Sequence, residues 1–262
     1  MDLRLTGRHA LVCGASQGIG RATAFELAEL GASVTLLSRS ADALAALARE
    51  LPAAQAGQTH SHVAVDMLDT EALTAAIAEV VKLNAVHVLI NNSGGPPPGP
   101  ASQAEPDAFL VAFRQHLIAA QVITRACLPG MREARYGRII NVISTSVKEP
   151  IPNLGVSNTV RAAVAGWAKT LSAEVAPDGI TVNNVLPGYT RTPRLEALVE
   201  ASVKAGRGRD EVEKGLLASV PAARFGDPAE VAAVIAFLAS PAAGYVNGVS
   251  LTVDGGRTRS LN

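Results

Sequence analysis

The sequence predicts an α/β fold, a doubly wound parallel sheet in a single domain over residues 1–262. Three observations predict it. Short apolar runs alternate with segments of helical period along the whole chain. One of those runs, Val86–Ile90 (VHVLI), lacks the regular alternation of a half-exposed strand, as expected where both faces are buried. Finally, Leu11–Gly20 (LVCGASQGIG) reads as strand, tight glycine turn and helix start.

The elements follow in order. After the first strand, Arg21–Leu30 reads as a helix with Ile19, Ala22, Phe25, Leu27 and Leu30 apolar, and Gly31 stops it. Ser33–Leu37 is the second strand and Asp42–Leu51 the second helix. His62–Val65 is the third strand, and Thr70 is a candidate N-cap for a helix through Val81. Val86–Ile90 is the fourth strand. Gly94–Pro100 (GGPPPGP) cannot be regular structure, so a stiff loop beside the crevice is expected. A long helix spans Glu105–Met131, a fifth strand Arg138–Ile143, an Ala-rich helix Ser157–Val175 and a sixth strand Ile180–Val185. Arg191–Arg224 holds Arg191, Arg194, Lys204, Arg207, Arg209 and Lys214, and reads equally as a lid or as a solvated helical pair. Pro228–Ala239 is a helix and Val249–Val253 the last strand. Right-handed crossovers then put any ligand at the C-terminal ends of the strands.

Composition narrows the function classes. At 48% hydrophobic and 18% charged the chain is globular rather than disordered. Zero formal net charge and 3% aromatic residues argue against a nucleic-acid module or an anionic-membrane binder. Cys13 and Cys127 are far apart, so buried reduced thiols are expected and no metal site. The N-terminus has no apolar signal core and no run is long enough to span a bilayer, so a soluble cytoplasmic protein is expected.

The glycine turn carries the chemistry. Backbone N–H groups and the positive end of a helix dipole meet there, and glycines let a pyrophosphate approach. The spacing is G-x-x-x-G-x-G at Gly14, Gly18 and Gly20. With Asn91-Asn92-Ser93-Gly94, Asp66, Pro187-Gly188-Tyr189-Thr190 with Thr192, and Val253-Asp254-Gly255-Gly256, it resembles the short-chain dehydrogenase/reductase family over the whole chain. Cys13 replaces the Thr usual before that turn. The resemblance implies a Rossmann-type fold and a dinucleotide held by Gly14, Ser16, Gln17, Gly18, Ile19, Gly20, Asp66, Met67, Asn92, Ser93, Gly94, Arg161, Pro187, Gly188, Thr190 and Thr192.

Ser38-Arg39-Ser40 follows the second strand with no acid. An acid there would bind both ribose hydroxyls and repel a 2′-phosphate, whereas an Arg between two hydroxyls suits a phosphate dianion. NADP(H) is therefore expected over NAD(H). A plain surface role for Arg39 is the alternative.

The family's catalysis rests on Asn, Ser, Tyr and Lys, the last two spaced Y-x-x-x-K. Matched by position, the Ser is Ser144, the Tyr falls on Ser157, the Lys on Arg161 and the Asn on His116. Tyr136, Tyr189 and Tyr245 are the only tyrosines, and none has a Lys four residues on. Ser157 and Arg161 still share a helix face at i, i+4. A Ser hydroxyl is a poor general acid and Arg is no proton carrier. His116 is the substitute donor to weigh, through water with Ser144 and Ser157, and Tyr189 at the mouth is a second. The bland alternative is that His116 fills the Asn position and bonds the backbone. A Ser–His hydrolase lacks its G-x-S-x-G elbow.

Two functions remain open. One is an NADP(H)-dependent reductase acting on a small carbonyl or alcohol, such as a 3-oxoacyl thioester, because the chain is most similar to the 3-oxoacyl-[acyl-carrier-protein] reductase branch. Arg132, Arg135 and Arg138 would offer an acidic carrier protein a basic edge, opposed by Asp178. The other is a catalytically impaired nucleotide-binding homologue, a sensor or a partner subunit. The resemblance implies a homotetramer.

Overall fold

The computed structural model describes residues 1–261. Among them, seven parallel strands form one sheet in the order β3-β2-β1-β4-β5-β6-β7. They are β1 His9–Cys13, β2 Ser33–Ser38, β3 His60–Ala64, β4 Val88–Asn91, β5 Gly137–Val142, β6 Ile180–Pro187 and β7 Ser250–Val253. The order reverses between β1 and β4, so a crevice opens at the C-terminal ends of those two strands.

Alternation along the strands divides the core. Ala10 and Val12 of β1 face α1 (Gly18–Glu29), α2 (Ala41–Glu50) and α9 (Pro228–Ala239), together with Val34, Leu36, Val88 and Ile90. Leu11, Cys13, Leu37 and Leu89 point the other way, onto α3 (Thr70–Leu83), α5 (Ala119–Glu133) and α6 (Gly155–Val175). Both cysteines are free and buried, and burial pushes the Cys127 thiol up to about 12. Among the described residues no helix is long and apolar enough to cross a membrane, and no cluster of His, Cys, Asp and Glu could hold a metal.

Several sequence expectations change in detail. The cap of α3 is Asp69, whose carboxylate accepts from Ala72 N at 3.0 Å, and Thr70 is the first helical residue. The long helix expected at Glu105–Met131 is α4 (Pro106–Phe113) and α5, joined by a π turn at Arg114–Ile118. The segment 191–224 contains a helical pair, α7 (Pro193–Lys204) and α8 (Arg209–Leu217). Arg132, Arg135 and Arg138 do not present three free cations at this edge. Arg132 and Arg135 both reach Asp178, at 2.8 and 3.7 Å. Arg138 is buried, donates to Gly137 O at 2.8 Å and stacks on Tyr136 at 4.1 Å.

The N-terminal edge of the sheet holds a polar chain that runs from the buried His9 and Thr35 to the exposed Ser61. His9 Nε2 lies 2.7 Å from Thr35 Oγ1, which lies 2.7 Å from Ser61 Oγ. Burial, with His87 beside it, pushes the His9 imidazole down to about 4. Its folded pKa thus lies below the ordinary unfolded value near 6.5. The unfolded chain binds the extra proton between those values, so this stabilisation is complete above about pH 6.5 and lost as pH falls towards 4. Urea unfolding is expected to show stability falling from pH 7.5 to 4.5, with His9 contributing at most about 3 kcal/mol. His9→Gln should lessen that dependence without abolishing it, because burial also pushes the His116 imidazole down, and an unchanged slope would place the acid sensitivity elsewhere.

Candidate functional site

The crevice begins at the glycine turn. Gly14 and Gly18 take positive φ, +60° and +56°, and a Cβ on Gly14 would lie 2.7 Å from the Asn92 amide. A Cβ on Gly20 would collide with Gly14 O. Larger residues would therefore push the end of β4 away from the turn. Asn92 Nδ2 bridges the two, donating to Cys13 O at 3.2 Å and Gly14 O at 3.3 Å. Helix α1 starts at Gly18, with neither a side-chain cap from Gln17 nor an acid in its first turn. Its leading N–H groups are left to face an incoming anion.

The other predicted cofactor residues are arranged around this corner. Ser16 and Ile19 are partly buried and Gln17 is exposed. Ser38 Oγ is buried without a partner at the end of β2, and Arg39 and Ser40 are exposed beyond it. Asp66 is exposed and its Oδ1 accepts from Leu68 N at 3.0 Å, with Met67 partly buried. Pro187 ends β6. Thr190 donates to Gly188 O at 3.2 Å, and Thr192 caps α7 with its methyl near Gly18. Ser93 turns inward while Gly94 is exposed at the start of the proline loop.

A small cavity of about 10 Å³, room for about one water, lies beside this corner. Asn91, Asn92, Ser93, His116, Asn141 and Arg161 line its polar side. His116 sits in the π turn, and its Nδ1 lies 2.7 Å from Ser93 Oγ, a side-chain partner rather than the backbone carbonyl of the bland reading. Burial, reinforced by the positive Arg161 and Arg194, pushes the imidazole down to about 2, so the ring is neutral at physiological pH. It can accept or relay through one nitrogen, but no imidazolium is available to donate.

Arg161 is 7% exposed and donates to Val142 O at 2.9 Å. Its Nε has no partner, and neither do His116 Nε2 and Asn91 Oδ1. Burial and the charge of Arg194 lower its pKa to about 10, which still leaves it cationic. Ser157, one turn earlier on α6, is also 7% exposed. Ser144 Oγ accepts from Ser146 N at 3.1 Å, capping the short turn after β5. Tyr189 belongs to a different cavity, with Val253 and Asp254, and carries Arg257 over its ring at 4.9 Å.

Two site features escape a sequence reading. Arg194 of α7 crosses the crevice and donates to Gly95 O at 2.9 Å and Pro96 O at 2.8 Å, joining the helical pair to the proline loop. The sequence marks it only as one of seven cations in that segment. An amide chain also crosses the sheet. Asn91 Nδ2 donates to Asn141 Oδ1, and Asn141 Nδ2 to Asn184 Oδ1, both at 2.9 Å. Polar residues inside apolar strands were its only signal in the sequence.

Comparison with known proteins gives one family. The profile described as Enoyl-(Acyl carrier protein) reductase matches residues 14–258. The chain is 35% identical to the 3-oxoacyl-[acyl-carrier-protein] reductase FabG of Vibrio harveyi, covering 97% of this chain and 98% of that protein. It is 30% identical to the NADPH-dependent reductase BacG of Bacillus subtilis, covering 98% and 100%. The structure of L-sorbose reductase from Gluconobacter frateurii, complexed with NADPH and L-sorbose, superposes with a TM-score of 0.93 at 31% identity, each chain fully covered. The chain belongs to the short-chain dehydrogenase/reductase family.

Proposed function

We propose that this protein is an NADP(H)-dependent oxidoreductase that interconverts a small carbonyl compound and its alcohol. The observation that carries the proposal is the glycine turn feeding an uncapped α1, beside an exposed Arg39 with no acid at the end of β2. The α1 N-terminus suits a pyrophosphate, and Arg39 with the unpartnered Ser38 hydroxyl suits a 2′-phosphate. When bound, the dinucleotide supplies the hydride acceptor or donor.

The protein's own residues then bind and orient. Ser144 and Ser157 present hydroxyls to a carbonyl oxygen, and Arg161 fixes positive charge behind them. His116 holds Ser93 and closes the cavity as a neutral ring. A phenol and an ammonium stand at the Ser157 and Arg161 positions in the family pattern. Without a positioned general acid the proton comes from water, at a cost in rate of ~10²–10⁴-fold. A 3-oxoacyl thioester is one candidate substrate, supported by the likeness to FabG. The substitution of both residues also favours a second reading, a nucleotide-binding homologue that senses cofactor or supports an active partner subunit. A homotetramer in the cytoplasm is part of the proposal.

Two measurements test this. Titration followed by cofactor fluorescence should show NADPH binding more tightly than NADH. Arg39→Ala should reduce that preference at least about tenfold, the scale of a lost charge-assisted contact. Absence of binding by either nucleotide overturns the reductase reading. For the chemistry, Ser157→Tyr with Arg161→Lys should raise turnover of 3-oxoacyl thioesters and simple ketones by ~10²-fold or more. Turnover absent from the native protein but present in the double variant would favour the second reading.

A further inference from the structure

The chain beyond β7 returns to the loop that carries Ser144 and is bonded to it at two points. Near the start of this tail, Asp254 fixes a turn, its Oδ1 accepting from Gly256 N at 3.0 Å and its Oδ2 from Thr258 N at 2.7 Å. Further along, Glu149 Oε1 accepts from Arg259 N at 2.6 Å and from Ser260 N at 2.7 Å. Arg257 lies between these two anchors. Its Nη1 donates to Thr145 Oγ1 at 3.2 Å, and its guanidinium lies 4.9 Å from the centre of the Tyr189 ring. No salt bridge among the described residues involves Arg257, and its Nε is buried without a partner. Stability alone is a poor reason for a guanidinium so placed, because one hydroxyl and one ring return little of the cost of taking it from water. What Arg257 does is connect the turn after β5 to the loop after β6.

We propose that Arg257 is a positioning residue for Ser144. Ser144 caps the short turn Thr145–Val147, and its Oγ accepts from Ser146 N, which leaves its own O–H to be donated. Thr145 is the next residue and is buried, and its carbonyl accepts from Lys148 N at 3.0 Å and Glu149 N at 3.1 Å. The turn is closed on itself and shifts as a unit. Arg257 sets where that unit sits relative to Tyr189, by bonding Thr145 and lying over the ring. The direction of the Ser144 hydroxyl follows, and a donor to developing charge is effective only when its position is held closely. The proposal rests on the reductase reading, in which Ser144 meets the carbonyl oxygen. It adds a residue from the end of the chain that acts on the reaction without touching cofactor or substrate.

The test uses the full chain, with NADPH and an acetoacetyl thioester as probes, in the native protein and in the variant with Ser157→Tyr and Arg161→Lys. Arg257→Met is expected to lower kcat about tenfold or more, while KM and the Kd for NADPH change less than about twofold. Its melting temperature should move by no more than about 2 °C, because no acid loses a partner. Arg257→Lys keeps a cation over the ring and a donor for Thr145, and should restore kcat to within about threefold of the parent. Thr145→Val should lower kcat by a similar factor, and combining it with Arg257→Met should lower it no further. Once Ser144→Ala is in place, Arg257→Met should leave the residual kcat unchanged. An unaltered kcat in Arg257→Met overturns the proposal. So does a fall in kcat that tracks lost stability and that Arg257→Lys does not repair, or a fall of the same size in the Ser144→Ala background. Absence of turnover in both parents is a different result, which sinks the reductase reading and takes the positioning role with it.

Discussion

The amide of Asn92 ties the end of β4 to the glycine turn after β1, and the crevice depends on that tie. One side-chain nitrogen donates to two successive carbonyls, Cys13 O and Gly14 O. Those carbonyls lie at the end of β1 and in the turn that follows it. The bond is possible because Gly14 and Gly20 have no side chains to hold the segments apart. With the two strand ends fixed, α1 must begin directly above them, and its free N–H groups share a corner with Ser93 and, through Ser93, with His116. The glycine corner and the cavity beside it are therefore held by one connected set of contacts.

Charge distribution gives the site its character. The described ion pairs lie on the protein surface, between exposed or partly exposed groups such as Arg209 and Glu196. The crevice carries guanidiniums and no carboxylate on its cavity wall. Two consequences follow from low dielectric surroundings. Histidine inside is held neutral, and any anion that enters is bound more strongly than at the surface. A zero net charge for the whole chain conceals this local polarity.

The strands and the turn were legible in the sequence because buried parallel strands are nearly continuous apolar runs and because glycine spacing is set by local backbone demands. Helix α9 runs Pro228–Ala239 as its pattern predicts, with Asp227 and Glu230 forming a capping box. The misplaced features depend on contacts distant in sequence. Arg138 looked like a surface cation, yet carbonyls of Gly137, Gly179 and Ser240 and the ring of Tyr136 accommodate it inside. Arg194 reaches a loop 98 or 99 residues away. Ser157 and Arg161 were recognisable as neighbours from their spacing, but the missing partner of Arg161 becomes visible only when its surroundings are assembled.

The π turn at Arg114–Ile118 has an effect on packing as well as on His116. Ala112 packs against Val156 and Val160, while Ala119, Ile123, Cys127 and Met131 face the sheet core. Inward positions along this helix recur mostly at intervals of four. A regular helix turns about 100° per residue, so its inward stripe would drift by about 100° between Ala112 and Met131. The wider turn rotates each residue less and removes much of that drift. It acts as a phase correction that lets one long helix serve both clusters. His116 occupies the place where that correction is made, so the geometry of the cavity and the angular register of the helix cannot change independently.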